Sequence, residues 1–311
     1  MVINKIKIGI LGATGHIAKG LIYGFQGEDD YELHLFARDR GKFDSFISET
    51  TCRIASISDY TDLYNADYDA IINCVGIGDP GILRESPSLI LSITEEFDNL
   101  VLNYLKKNNS TIYINLSSGA VFGSDFHEPV KEGTLTILDM NNILPSQFYS
   151  LAKINSEVKH RSLSNLSIID LRVFGYFSRF IELQKRYLLN EILSCLKTRE
   201  IFHTNSSNII RDYIHFNDLV DLIKICLINK KLNDAFDVYS KKPIAKFDIL
   251  EFYKTNYGLD YCIEKNGGLA SITGNKDLYY SNNIKAQMLG YYPQLTSLDC
   301  ITKETQALMG Y

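Results

Sequence analysis

A short apolar run at residues 6–11 feeds into Gly12-Ala13-Thr14-Gly15-His16-Ile17-Ala18, and a helical pattern through Leu21, Ile22 and Phe25 follows. No other stretch constrains the chain as much. A strand that passes to a helix through a glycine turn opens a βαβ unit. Its glycines let the backbone approach an anion that the helix N-terminus attracts. Gly9 lies inside the strand and reads as a packing glycine. Taken alone, G-x-x-G is only a tight turn. The strand before it and the helix after it point to a dinucleotide cradle lined by Gly12, Thr14, Gly15, His16 and Ile17.

The alternation continues downstream. Residues 32–36, 54–57, 69–76, 111–116 and 168–173 read as strands, and residues 89–107 as an amphipathic helix stopped by Asn108-Asn109. This pattern predicts an α/β fold: a doubly wound parallel sheet of the Rossmann type, with a smaller mixed C-terminal substrate-binding domain. The dinucleotide-binding domain is expected to take residues 1–173 and 209–240, and the substrate domain residues 174–208 and 241–311. Residues 76–87 read as a loop and 123–145 as a long polar connection. Residues 181–197 and 247–257 read as helices, and 209–216 and 236–239 as strands. Asn217-Asp218 is expected to cap the next helix, and Ser281-Asn282-Asn283 to cap a last one at 284–289.

The end of strand two bears on the cofactor. A carboxylate there would bind the 2′-hydroxyl of an NAD ribose, whereas arginine accommodates the 2′-phosphate of NADP. The chain has Ala37 and Arg38, with Arg40 close behind and Asp39 two places beyond the expected acid. NADP(H) is therefore the expected cofactor, with NAD as the alternative. Asp59, after strand three, is a candidate adenine contact. Cys74, Val75 and Gly76 line a second glycine turn after strand four.

A net charge of -5 gives no support to a nucleic-acid or anionic-membrane surface. No apolar run approaches the roughly 20 residues needed to span a bilayer. The six cysteines are scattered, without a C-x-x-C pair, which fits a reduced compartment better than a disulfide framework or a zinc site. No metal is expected, and the protein is expected to be cytoplasmic.

Tyr149-Ser150-Leu151-Ala152-Lys153 carries the strongest chemical signal. Helical positions four apart share a face, so phenol and ammonium would project into one space. A neighbouring cation favours a phenolate, and a proton donor works best with a pKa near the working pH. Tyr261 and Lys265 repeat the spacing. What separates the two is company: a buried-strand pattern running into Ser117-Ser118-Gly119 precedes Tyr149, and nothing similar precedes Tyr261.

Together these residues resemble the extended short-chain dehydrogenase/reductases, the NAD-dependent epimerase/dehydratase family, over essentially the whole chain. The resemblance rests on Gly12-Ala-Thr-Gly15, Ser117-Ser118-Gly-Ala-Val-Phe-Gly123, Tyr149-x-x-x-Lys153, Leu171-Arg172-Val-Phe and Arg211-Asp212-Tyr-Ile-His-Phe-Asn-Asp218. It implies that Ser118 hydrogen-bonds the substrate oxygen and that Tyr149 donates or accepts the proton. Lys153 would hold the nicotinamide ribose and lower the Tyr149 pKa. Gly119 and Phe174 join Ser118 on the substrate side. Arg211 matches an arginine that contacts the substrate diphosphate; the competing reading is a buried structural arginine paired with Asp212. His215 is expected to pack or cap locally. The resemblance also implies a homodimer, built on the helix at 89–107 and the Tyr149 helix.

The chain departs from the family pattern in several places. Ala18 stands for the third glycine, Phe122 for a tyrosine, and Gly175 where many members place Asn. Asn99 and Asn103 are imperfect candidates for a water-ordering asparagine near the lysine. Gly119-Ala120 replaces the Asp-Glu pair of dehydratases, which argues against dehydration. The resulting expectation is an NADP(H)-dependent reductase of a nucleotide-linked keto-sugar, such as a 4-keto-6-deoxyhexose. The alternative is a nucleotide-sugar epimerase that keeps NAD tightly bound. A catalytically silent NADP-binding regulator is a third reading, against which the intact Ser118, Tyr149 and Lys153 count.

Overall fold

The computed structural model describes residues 5–310 except 40, 42, 44, 45, 48–53, 55, 79, 230 and 265–275, and all side chains of these except those of Pro80 and Arg84. Arg40, Cys52 and Lys265 lie outside the described residues.

Six strands follow in chain order: β1 (Ile6–Leu11), β2 (Tyr31–Phe36), β3 (Ser56–Ser58), β4 (Ala70–Asn73), β5 (Ile112–Ser118) and β6 (Ile168–Val173). Two short strands, β7 (Phe202–Asn205) and β8 (Ile210–Arg211), precede β9 (Asn233–Val238). The main sheet has seven strands in the order β3-β2-β1-β4-β5-β6-β9, and every pair in it is parallel. Parallel neighbours need crossover connections, which place helices on both faces and bury the strands from both sides. Ile8, Ile10, Ile72, Ile114 and Leu171 accordingly enter one core, and Leu11, Ile71, Tyr113 and Ile168 the opposite one.

The helices are α1 (His16–Gly24), α2 (Pro80–Glu85), α3 (Leu89–Leu105), α4 (Phe148–Ser162), α5 (Leu188–Thr198), α6 (Phe216–Ile228), α7 (Lys246–Tyr257) and α8 (Ser297–Met309). α1 packs on α6 over the first core, and α3 packs on α4 beside the second. A third core gathers Phe177, Leu189, Leu193, Phe202, Leu250, Tyr253 and Ile301 around α5, α7 and α8. Strands β10 (Ile244–Ala245), β11 (Tyr261–Glu264) and β12 (Leu278–Tyr279) form small sheets with β8 and β7.

Several expected elements are corrected. The stretch expected to be a loop before Pro87 contains α2, which opens on proline, whose fixed φ suits a first helical position. The helix expected from 181 begins only at Leu188. Tyr187 before it is extended (φ -112°, ψ 153°), and its hydroxyl donates to the Gly78 carbonyl. The strand expected at 209–216 stops after two residues. Tyr213 N–H turns to Ser297 Oγ at 2.8 Å instead of to a strand neighbour. The cap of α6 is His215, whose Nδ1 accepts from Asn217 N–H at 3.0 Å; Asp218 is buried and accepts from Gln294 N–H and Leu295 N–H. Residues Lys285–Leu289 form a 3-10 turn, and the last helix is α8, started by a Thr296–Asp299 capping box. Tyr261 lies on a strand, so the spacing it shares with Tyr149 does not place it on a helix face.

Candidate active site

Strand order reverses between β1 and β4, so their connections diverge and open a crevice above the C-terminal strand ends. Gly12 N–H and Ala13 N–H donate to Phe36 O at 3.0 and 3.1 Å, and Cys74 N–H donates to Leu11 O at 3.0 Å. Gly12 has φ +74°, and a Cβ there would stand 3.1 Å from Val75 N, so the turn needs glycine. α1 starts after Gly15 with no side-chain cap and no acid in its first turn. Its first N–H groups are suited to an anion.

The predicted cofactor residues stand around this crevice with different commitments. Thr14 and Ile17 are half-buried on the turn, and Ile17 packs partly into the core. The His16 imidazole stands edge-on to Tyr176, 4.9 Å between centroids, and burial lowers its pKa to about 4, so it is neutral. Arg38 is exposed just past β2, and its charge reaches Tyr60, whose phenol lies against the Gly12 backbone. The Asp59 carboxylate accepts from Tyr60 N–H at 2.7 Å, capping the turn Tyr60–Asn65. Burial pushes the Cys74 thiol up to about 12.

A buried polar chain holds the end of β4. Asn73 Oδ1 accepts from Val75 N–H at 3.0 Å, and its amide donates to Tyr113 Oη, which donates to Asp98. Asp98 and Asp170 flank His160 at 2.6 and 2.9 Å. Burial alone would lower the His160 pKa, but the bonds to Asp170 and Asp98 outweigh it and hold it at about 9.

β5 delivers Ser118 at its last position, and α4 delivers Tyr149 and Lys153. Ser150 Oγ donates to Ala120 O at 2.6 Å, pinning α4 to the turn Gly119–Phe122. Lys153 is 5 % exposed, and its Nζ donates to Leu116 O at 2.9 Å. A Cβ added to Gly76 would lie 3.8 Å from that Nζ, which places the ammonium between the β4 and β5 ends. The Tyr149 ring is half-buried beside Leu83, Ile90 and Ala152. The Tyr149 phenol is close enough to Tyr279 to act on it electrostatically, and Tyr279 Oη is 2.9 Å from Ser118 Oγ. Serine, tyrosine and lysine thus converge on one side of the crevice.

Arg211 does not pair with Asp212. Its guanidinium donates to the Ile210 and Asp277 carbonyl oxygens, while Asp212 accepts from Ser240 N–H and Ser297 Oγ. Lys276, pressed by burial and by Arg211 down to about 8, stands nearby, and among the described residues no carboxylate ion-pairs with either cation. Two poorly solvated cations side by side are unfavourable until an anion joins them.

Phe174, Phe177 and Phe202 are buried, and the Phe174 ring covers Gly119 and stands 5.2 Å from Tyr279. The Phe122 ring lies under the Arg172 guanidinium at 4.8 Å, which is what that departure does. Asn99 accepts from Lys159, and Asn103 from Lys106, so both side chains are engaged away from Lys153. A Cβ on Gly175 would fall 2.5 Å from the Asp212 carbonyl oxygen. Gly175→Ala should therefore lower stability by about 2 kcal/mol through overpacking, read as a lower urea midpoint. An unchanged midpoint would show that the backbone yields there. Tyr60, Lys276 and Tyr279 escaped sequence reading because no generic motif surrounds them. Among the described residues no cluster of His, Cys, Asp or Glu could hold a metal ion, and no helix is long and apolar enough to cross a membrane.

A family model described as the NAD dependent epimerase/dehydratase family matches residues 8–240. No protein with a curated description matches the sequence. Many solved structures share the fold. The UDP-N-acetylglucosamine 4-epimerase of Methanobrevibacter ruminantium M1, in complex with UDP-N-acetylmuramic acid, superposes with a TM-score of 0.80 at 16 % identity, covering 98 % of both chains. The UDP-glucose-4-epimerase of Stenotrophomonas maltophila, with bound NAD and formylated UDP-arabinopyranose, gives 0.81 at 14 % over 98 % of both. The ADP-L-glycero-D-manno-heptose-6-epimerase of Helicobacter pylori gives 0.80 at 15 %, over 99 % of this chain and 98 % of that one.

Proposed function

The chain belongs to the NAD dependent epimerase/dehydratase family, and on that premise we propose that it is a nucleotide-sugar epimerase working with tightly bound NAD. The observation that carries this reading is the convergence of Ser118, Tyr149 and Lys153 beside Arg211 and Lys276, two cations with which no carboxylate ion-pairs among the described residues. Two of the similar structures, each carrying NAD and a UDP-sugar, are epimerases. This turns the preference away from reduction with NADP(H).

The crevice residues fit a dinucleotide: Gly12 admits close backbone approach, and the uncapped start of α1 suits its phosphates. NAD, when bound, supplies the hydride acceptor and then the donor. Tyr149 takes the proton from the sugar hydroxyl and returns it to the carbonyl oxygen from which the epimer forms. Lys153 holds the ribose and stabilises negative charge on Tyr149. Ser118 donates to the sugar oxygen, where charge develops. Arg211 and Lys276 anchor the diphosphate, so the sugar can turn over while the nucleotide end stays fixed. The turn Gly119–Phe122 carries no carboxylate to expel a hydroxyl. The chain is proposed to comprise a dinucleotide-binding part (1–173, 209–240) and a substrate part (174–208, 241–311), to act in the cytoplasm and to form a homodimer.

Among the described residues, Arg38 favours the second reading, reduction of a nucleotide-linked keto-sugar with NADPH. Cofactor released from purified protein by denaturation decides between them, together with NMR of UDP-glucose or UDP-N-acetylglucosamine after incubation. NAD in near-equal molar amount and appearance of the C4 epimer are expected. Protein that arrives empty and consumes NADPH in proportion to added keto-sugar would overturn epimerisation.

A further inference from the structure

Ser118 can serve a substrate oxygen only if its own proton is free. A hydroxyl has one proton to donate and two lone pairs to fill. Ser118 Oγ is buried, accepts Ala120 N–H at 3.2 Å and lies 2.9 Å from Tyr279 Oη. If Ser118 donated to Tyr279, its proton would be spent inside the protein. If Tyr279 donates, both lone pairs of Ser118 are filled and its proton can point only outward.

We propose that Tyr279 is a positioning residue that locks Ser118 as a hydrogen-bond donor to the sugar oxygen. This rests on the acid–base reading of Ser118 and Tyr149 given above. The tyrosine is built for a fixed aim. Its strand pairs with β8, with Tyr279 opposite Arg211. Its ring is held edge-on by Phe126 at 4.7 Å, tilted against Phe174 at 5.2 Å, and capped by Lys276 Nζ at 4.5 Å. Burial holds its phenol well above the ordinary tyrosine range, so it keeps its proton at any pH at which the enzyme works. The two hydroxyls therefore play different parts: Tyr149 exchanges a proton with substrate, and Tyr279 keeps its own so that Ser118 presents one. Tyr279 lies 161 residues beyond Ser118 in the chain, so completion of the C-terminal fold also completes the donor.

The test is a double-mutant cycle in the NAD-loaded protein, with the UDP-sugar it epimerises as the probe. Tyr279→Phe keeps the ring contacts and removes only the hydroxyl. It should lower kcat about 10-fold with little change in KM, the loss of one net hydrogen bond in the transition state. In a Ser118→Ala background the same change should cost almost nothing, because no serine proton remains to aim. An equal loss in both backgrounds would show that Tyr279 acts by packing or by touching substrate itself, and would overturn the proposal. So would full activity of Tyr279→Phe beside a slow Ser118→Ala enzyme, with the acid–base reading left standing. A fully active Ser118→Ala enzyme would sink that reading, and this one with it.

Discussion

Tyr149→Phe should lower kcat by about a thousandfold while the protein stays folded and keeps its cofactor, the scale expected for a lost acid–base group. The ring is what packs: it sits beside Leu83, Ile90 and Ala152, and phenylalanine preserves those contacts. The hydroxyl is the group proposed to react, and it shares its space with Ser118 and Tyr279. Lys153 stays in place through its bond to Leu116 O, so cofactor binding has no reason to change. The measurement pairs kcat for the UDP-sugar with the NAD released per chain on denaturation. Turnover within a few-fold of the parent would remove Tyr149 from the chemistry. Loss of activity together with loss of NAD would mean the substitution had damaged the crevice instead.

The second large effect lies far from the chemistry. Glu304, fully buried on α8, accepts from Arg179 N–H, Nε and Nη2 at 2.7, 3.0 and 2.8 Å, and lies 3.1 Å from His215 Nε2. Since His215 also caps α6, one carboxylate ties the last helix to the segment after β6 and to the helix beneath the sheet. Glu304→Ala would leave Arg179 and His215 without their partner, at a cost of about 3–5 kcal/mol. Burial alone would raise the Glu304 pKa, but the bonds from His215 and Arg179 bring it down to about 2 from an unfolded value of 4.5. A folded pKa below the unfolded one adds stability that is full above pH 4.5 and is lost as pH falls toward 2. The shift corresponds to about 3 kcal/mol. Urea unfolding at neutral pH should show a much lower midpoint for Glu304→Ala. Between those acid limits the parent should lose stability faster than the variant. Parallel acid profiles would contradict this account of the carboxylate.

Features that depend on near neighbours in the chain were legible beforehand. β6 occupies the same residues the sequence marked: Ile168, Ile169, Leu171 and Val173 enter the two cores, while Asp170 and Arg172 are held by His160 and Glu157. Gly12 had to be a turn glycine, since its backbone is left-handed and Val75 closes in on it. Tyr149 and Lys153 share α4, where a spacing of four puts them on one face. Arg38 shows where that kind of reading weakens: a residue past β2 suggests a phosphate partner, but its identity does not choose the cofactor by itself.

The linear chain therefore determined the parallel sheet, the glycine turn that opens α1 and the helix that carries both Tyr149 and Lys153, all of them products of periodicity and local spacing. Only the folded molecule decided that Tyr279 reaches Ser118, that Lys276 stands by Arg211, that His215 rather than Asn217-Asp218 caps α6 and that Glu304 draws α8 onto Arg179. These partners lie dozens of residues apart or more, or compete with local alternatives such as Asn217. Burial selects them because a polar group removed from water is stable only beside whichever partner the packing brings to it.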